Sequence, residues 1–283
     1  MDFSSRETLD FIKNALHEDI RDGDHSSLSC IDANAVGKAH LLFKEDGVVA
    51  GIELAKSILI YLDEECQIEQ FKHDGDYVEV GEIGFVVQAK VHAILAGERL
   101  LLNCMQRLSG IATTTSNLVE KIKHTPAKLL DTRKTTPGLR FLEKWAVTVG
   151  GGYNHRAGLY DMIMLKDNHN DYAGGITNAV SATRKYLTEK GLDLKVEVET
   201  RNMGEVKETL ACQGVDRIML DNFRPDEIIE ALKLIDGRAE TEASGGITGE
   251  NLMAYAETGV DYISMGALTH SVKSLDISLK QIK

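Results

Sequence analysis

From residue 127 onward the chain alternates short apolar runs with helix-like stretches, and this β-α repetition restricts its fold more than any other feature. The runs are AKLLD (127–131), MIML (162–165), LKVEVE (194–199), RIML (217–220), AETEA (239–243) and YISM (262–265). Amphipathic segments such as MGEVKETLACQG and PDEIIEALKLIDG lie between them. Strands that alternate with helices form a parallel sheet, with the helices packed on its face. Six visible strands plus one hidden strand suit a closed β/α barrel, and a doubly wound open sheet satisfies the same periodicity.

The residues that follow each run are charged or small. Asp131, Thr132, Arg133 and Lys134 follow the first, and Lys166 follows the second. Glu199 ends the third, with Glu197 two residues earlier on the same strand face. Asp221 and Asn222 follow the fourth, Ser244-Gly245-Gly246 the fifth, and Gly266-Ala267 the sixth. In barrel enzymes the C-terminal strand ends carry the active site, and the last two loops commonly bind phosphate. The glycines of ASGGIT let backbone N–H groups reach an anion, ahead of a helix expected near Glu250. Glu197 and Asp221 are candidate ligands for magnesium or for ribose hydroxyls, with Glu199 the alternative to Glu197.

Charge sharpens this reading. The 283-residue chain has a formal charge of −12, which argues against nonspecific binding to nucleic acid. Between Asp131 and Lys166, however, six bases face three acids, an excess of +3. A local cationic site in an acidic protein points to a small, highly charged anion. Arg133, Lys134, His155 and Arg156 have the chemistry to clamp a dicarboxylate, because the arginine fork donates two parallel hydrogen bonds. The histidines lack the i, i+4 pairing of zinc helices, and the four cysteines form no CxxC pair. No apolar run approaches the ~20 residues that span a bilayer. The start, MDFSSRETLDFIKNALHEDI, lacks the basic end and apolar core of a secretory signal, so a cytoplasmic location is expected.

The first hundred residues read differently. A helix is expected over 7–17, a polar loop over EDIRDGDHSS, and two strands around a turn at Asp46-Gly47. A helix over 52–63 precedes short strands within 67–95. A further helix over 96–108 is expected to break at Ser109-Gly110 before another begins.

The pieces DTRKTTPGLR, LEKWAV, GGGYNHR and KDNH, in this order and spacing, closely resemble the motif block of the quinolinate phosphoribosyltransferase family. GERLLLNCMQRLSGIAT extends the resemblance toward the N-terminus, so it covers nearly the whole chain. It implies an incomplete, seven-stranded β/α barrel over 111–270 and an N-terminal α/β sandwich domain over 1–110, rejoined by 271–283. It implies transfer of a phosphoribosyl group from phosphoribosyl pyrophosphate to quinolinate, with decarboxylation, with Mg2+ as cofactor. Arg99, Arg133, His155 and Arg156 would hold the substrate carboxylates. Lys134 and Lys166 would sit near both substrates, and Glu197 and Asp221 at the ribose and metal. The resemblance also implies a homodimer or higher oligomer in which Arg99 enters a neighbour's site. A related protein of molybdate-transport operons and a noncatalytic ligand-binding homologue are the other readings of the same block.

Overall fold

The computed structural model describes residues 1–282. Its strands are β1 (Val36–Phe43), β2 (Gly47–Val48), β3 (Gln67–Gln70), β4 (Tyr77–Val78), β5 (Ile83–Lys90), β6 (Lys128–Leu130), β7 (Ile163–Leu165), β8 (Val196–Thr200), β9 (Arg217–Asp221), β10 (Glu240–Ser244), β11 (Tyr262–Ser264) and β12 (Ile277–Ile282). The chain divides into two compact units. The first holds Met1–Ser116, Thr148–Gly150 and the segment from Val272 onward; the second holds Asn117–Val147 and Gly151–Ser271.

The first unit is built on an antiparallel sheet of order β12-β1-β5-β3, with β2 paired to β4. The expected hairpin at Asp46-Gly47 does not form. β1 pairs with β5 and β12, and β2 pairs with β4 instead. The polar loop around Ser26-Ser27 is also more ordered than expected. His25–Cys30 is a short helix, because the Asp24 carboxylate accepts the backbone N–H groups of Ser26 and Ser27 at its N-terminus. The largest difference is the helix Val91–Ile122, which runs unbroken through Ser109-Gly110. Ser109 Oγ bonds Ala50 N at 3.0 Å, and a Cβ on Gly110 would strike the carbonyl oxygen of Lys273. These two residues are small for close packing; helix termination is not their role.

In the second unit the six parallel strands lie in the order β6-β11-β10-β9-β8-β7. An isolated parallel bridge between Leu130 and Tyr153 marks the seventh position, beside β6. Among the described residues no ladder joins Tyr153 to β7, so the barrel is seven-membered and incomplete. Every residue of β8 is buried, as a barrel strand covered on both faces requires. Val196 and Val198 face outward and pack with Leu165, Ile176, Ala179, Val180 and Leu187, so helix Ile176–Lys190 covers them. By alternation Glu197 and Glu199 face the barrel axis. Among the described residues no helix is long and apolar enough to cross a membrane.

Candidate active site

An open cavity of about 970 Å³ sits at the C-terminal ends of the barrel strands. Arg133, Lys134, His155, Arg156, Lys166 and Asp221 line it, as do the loops Ser244-Gly245-Gly246 and Gly266-Ala267. All of these were expected from the sequence. Arg99 is not among the lining residues: it is exposed, in the part of helix Val91–Ile122 that belongs to the first unit, two turns past that helix's start.

The basic wall is fixed from below by Asp131, which is fully buried at the end of β6. Its carboxylate contacts Lys144 Nζ and accepts the backbone N–H of His155 at 2.8 Å. Burial pushes the Asp131 carboxyl up to about 6 despite the lysine. The same burial pulls Lys144 down. The pair ties the loop after β6 to the segment carrying His155 and Arg156. Thr269 Oγ1 donates to the Lys134 carbonyl at 2.8 Å, which anchors the other side of that loop. Arg133 Nε is buried with no hydrogen-bond partner. Burial and the nearby Arg133 charge lower the Arg156 guanidinium from its usual value. Arg133 and Arg156 thus bring like charges together at one wall, with Glu197 and Asp161 the acids that act on Arg156.

The acidic side requires a correction. Glu199, and not Glu197, lines the cavity. Glu199 accepts Lys166 Nζ at 3.0 Å, and it faces Asp221, whose carboxyl is raised by burial and by the Glu199 charge. Glu197 is wholly buried. Two residues along a strand amount to about 6.6 Å, so one glutamate reaches the rim and the other stays beneath it. Glu197 Oε2 instead lies 3.0 Å from His155 Nε2. Glu242 Oε2 lies 3.4 Å from the same nitrogen and 2.9 Å from Arg217 Nη1. Burial and the neighbouring Glu242 raise the Glu197 carboxyl, while His155, Ser264 and Arg217 hold Glu242 low in spite of burial. Sequence reasoning missed the lining residues Glu242 and His270, and Arg217 behind them. The signal for Glu242 was its period-two relation to Ser244 on one strand.

The anion loops depend on backbone shape. Gly245 and Gly246 have φ of +90° and +63°, and a Cβ on Gly245 would collide with the Asn222 side chain. A Cβ on Gly266 would lie 2.9 Å from both Lys134 Cδ and His270 Cδ2. The helix expected near Glu250 begins at Leu252 and is a single short turn, Leu252–Ala256.

Comparison with known proteins agrees with this geometry. The family model described as quinolinate phosphoribosyl transferase, N-terminal domain, matches residues 24–109, and its C-terminal counterpart matches residues 111–280. The chain belongs to the quinolinate phosphoribosyltransferase family. It is 48% identical to the chloroplastic nicotinate-nucleotide pyrophosphorylase [carboxylating] of Arabidopsis thaliana, over 95% of this chain and 81% of the relative. It is 47% identical to a probable nicotinate-nucleotide pyrophosphorylase [carboxylating] of Bacillus subtilis, over 93% of this chain and 89% of the relative. The crystal structure of NadC from Streptococcus pyogenes superposes with a TM-score of 0.93 at 39% identity, covering 100% of both chains. The nicotinate-nucleotide pyrophosphorylase of Francisella tularensis gives a TM-score of 0.90 at 38% identity, over 96% of this chain and 95% of that one. Membership in this family favours the barrel over the doubly wound sheet, and the seventh position at Tyr153 agrees with it.

Proposed function

We infer that this protein transfers the phosphoribosyl group of phosphoribosyl pyrophosphate to quinolinate, giving nicotinate mononucleotide, carbon dioxide and pyrophosphate. One observation carries the substrate assignment: a buried, unpartnered Arg133 Nε in a wall shared with Arg156 and Lys134. A buried donor without an acceptor costs free energy that a bound carboxylate recovers. Two carboxylates on adjacent ring carbons match the excess of cations better than one.

In this reading the pyridine nitrogen attacks the anomeric carbon of the ribose as the bond to pyrophosphate breaks. Glu199 and Asp221 stand where positive charge develops on the sugar, and this favours the transition state. Lys134 and the loops at Ser244-Gly245-Gly246 and Gly266-Ala267 receive the phosphates. The ring nitrogen is then cationic. When the carbon–carbon bond to the 2-carboxylate breaks, the electron pair left at that ring carbon is stabilised by the adjacent positive nitrogen. A proton takes the vacated position.

Magnesium fits the acidic side. Glu199 and Asp221 offer only oxygen donors, and the strain between their neighbouring charges is one that a divalent cation relieves. These two residues would hold the ion together with substrate phosphates. Bound magnesium would supply charge neutralisation for the leaving pyrophosphate.

The active site is read as shared between subunits of a homodimer or larger assembly. Arg99 is exposed and does not line its own chain's cavity, which supports its acting in a neighbour.

The test is an assay for pyrophosphate and nicotinate mononucleotide, with quinolinate compared against nicotinate. Turnover with quinolinate alone is expected, because nicotinate leaves charged donors unpaired. Comparable turnover on both would overturn the substrate assignment.

A further inference from the structure

Barrel interiors are ordinarily filled by bulky branched apolar side chains. In this barrel the layer beneath the cavity is ionic. Glu197 and Glu242 have fully buried side chains, and those of His155 and Arg217 are 5% and 10% exposed. Removing four charged or polar groups from water costs more than an apolar layer of similar volume would. Stability alone therefore gives no reason for this arrangement.

The cluster has a direction. Arg217 is turned away from the cavity, bonding Glu240 Oε2 at 3.1 Å as well as Glu242, and its guanidinium stacks 4.0 Å from the Tyr262 ring centre. His155 faces the other way and lines the cavity. Both ring nitrogens meet polar groups, Nδ1 in a hydrogen bond and Nε2 in ion contact only. Nε2 points at the two glutamates, and Nδ1 accepts the backbone N–H of Arg156 at 2.6 Å. Nε2, which faces the two carboxylates, carries a proton. Glu197 and the His155 Nε2 it faces have no other hydrogen-bond partner, so the 3.0 Å approach between them is the close polar contact of this buried carboxylate. Its ion contact is with His155.

We propose that Glu197 is a positioning residue for quinolinate: from beneath the cavity, beside the lining residue Glu242, it orients the His155 ring, and through that ring the backbone of Arg156. This rests on the reading of the cavity as the quinolinate site. Glu197 touches no substrate. Glu197 acts from β8 on two members of the carboxylate clamp, whereas the phosphate loops follow β10 and β11. Its loss therefore acts on one substrate and spares the other.

The experiment compares wild-type protein with Glu197→Gln and Glu242→Gln. Steady-state kinetics are measured for each substrate, and calorimetry for binding of quinolinate and of nicotinate. For Glu197→Gln, KM and Kd for quinolinate are expected to rise roughly tenfold or more, about 1.4 kcal/mol of binding. The KM for phosphoribosyl pyrophosphate is expected to stay within about twofold, and the preference for quinolinate over nicotinate to shrink. Unchanged quinolinate binding overturns the proposal. So does a parallel rise in both KM values with a fall in Tm, which is the signature of general loosening. If Glu197→Gln does not fold, Glu197→Asp, which retracts the carboxylate by one methylene, is held to the same criteria. If wild-type protein itself fails to bind quinolinate, the underlying reading of the site fails, and that result is distinct from a failure confined to the variants.

Discussion

Glu197 and Glu199 differ only in depth, and that difference separates a residue at the rim from one under it. Glu199→Ala is expected to lower kcat/KM by roughly a hundredfold, the scale of a lost electrostatic contact to a transition state. The circular dichroism spectrum should be unchanged, because Glu199 is at the cavity edge. Activity within a few-fold of wild type would remove Glu199 from the site. Asp131 makes a second residue-scale case. Its carboxyl is raised from 3.8 to about 6, because burial outweighs the nearby Lys144. The folded protein thus keeps a proton that the unfolded chain releases. This contribution to stability is fully present below the unfolded pKa and is lost as pH rises through about 6. Urea unfolding followed from pH 4 to pH 7 should show this decline, and Asp131→Asn should flatten it. An equal slope in both proteins would assign the dependence to other groups.

At the scale of elements, the helix Val91–Ile122 is the instructive case. Ser109-Gly110 in sequence has the form of a break, yet the helix continues because its neighbours need small side chains there. Gly110→Ala would ordinarily favour a helix by about 1 kcal/mol. Here the added methyl meets the Lys273 carbonyl, and a net destabilisation of about 1–3 kcal/mol is expected from overpacking. Chemical denaturation decides between the two signs. A more stable variant would mean that the chain from Val272 onward yields easily. β8 carries the opposite lesson. Its VEVET pattern predicts a strand with alternate faces, and both expectations hold. Period two shows which residues share a face, but it does not show which of them reaches the rim.

At the scale of the whole molecule, the proposed sharing of the site between subunits makes its own prediction. Arg99→Ala and Lys134→Ala should each be nearly inactive alone. After verified subunit exchange, a 1:1 mixture should recover about a quarter of wild-type activity, because half the dimers are mixed and each has one intact site. No recovery would place Arg99 outside the neighbour's site. The sequence by itself determined the β-α repeat, the parallel strands and the strand-end position of the basic and glycine-rich groups, because all three follow from local periodicity and from the residues after each strand. It also contained the motif block that marks the family. Tertiary structure decided what depends on distance across the barrel. It put Glu199 at the cavity and Glu197 under His155, brought Glu242 and Arg217 into the same buried layer, and joined Asp131 to Lys144 and His155. These contacts join segments separated along the chain, and their positions are set by packing across the barrel sheet, which no local pattern encodes.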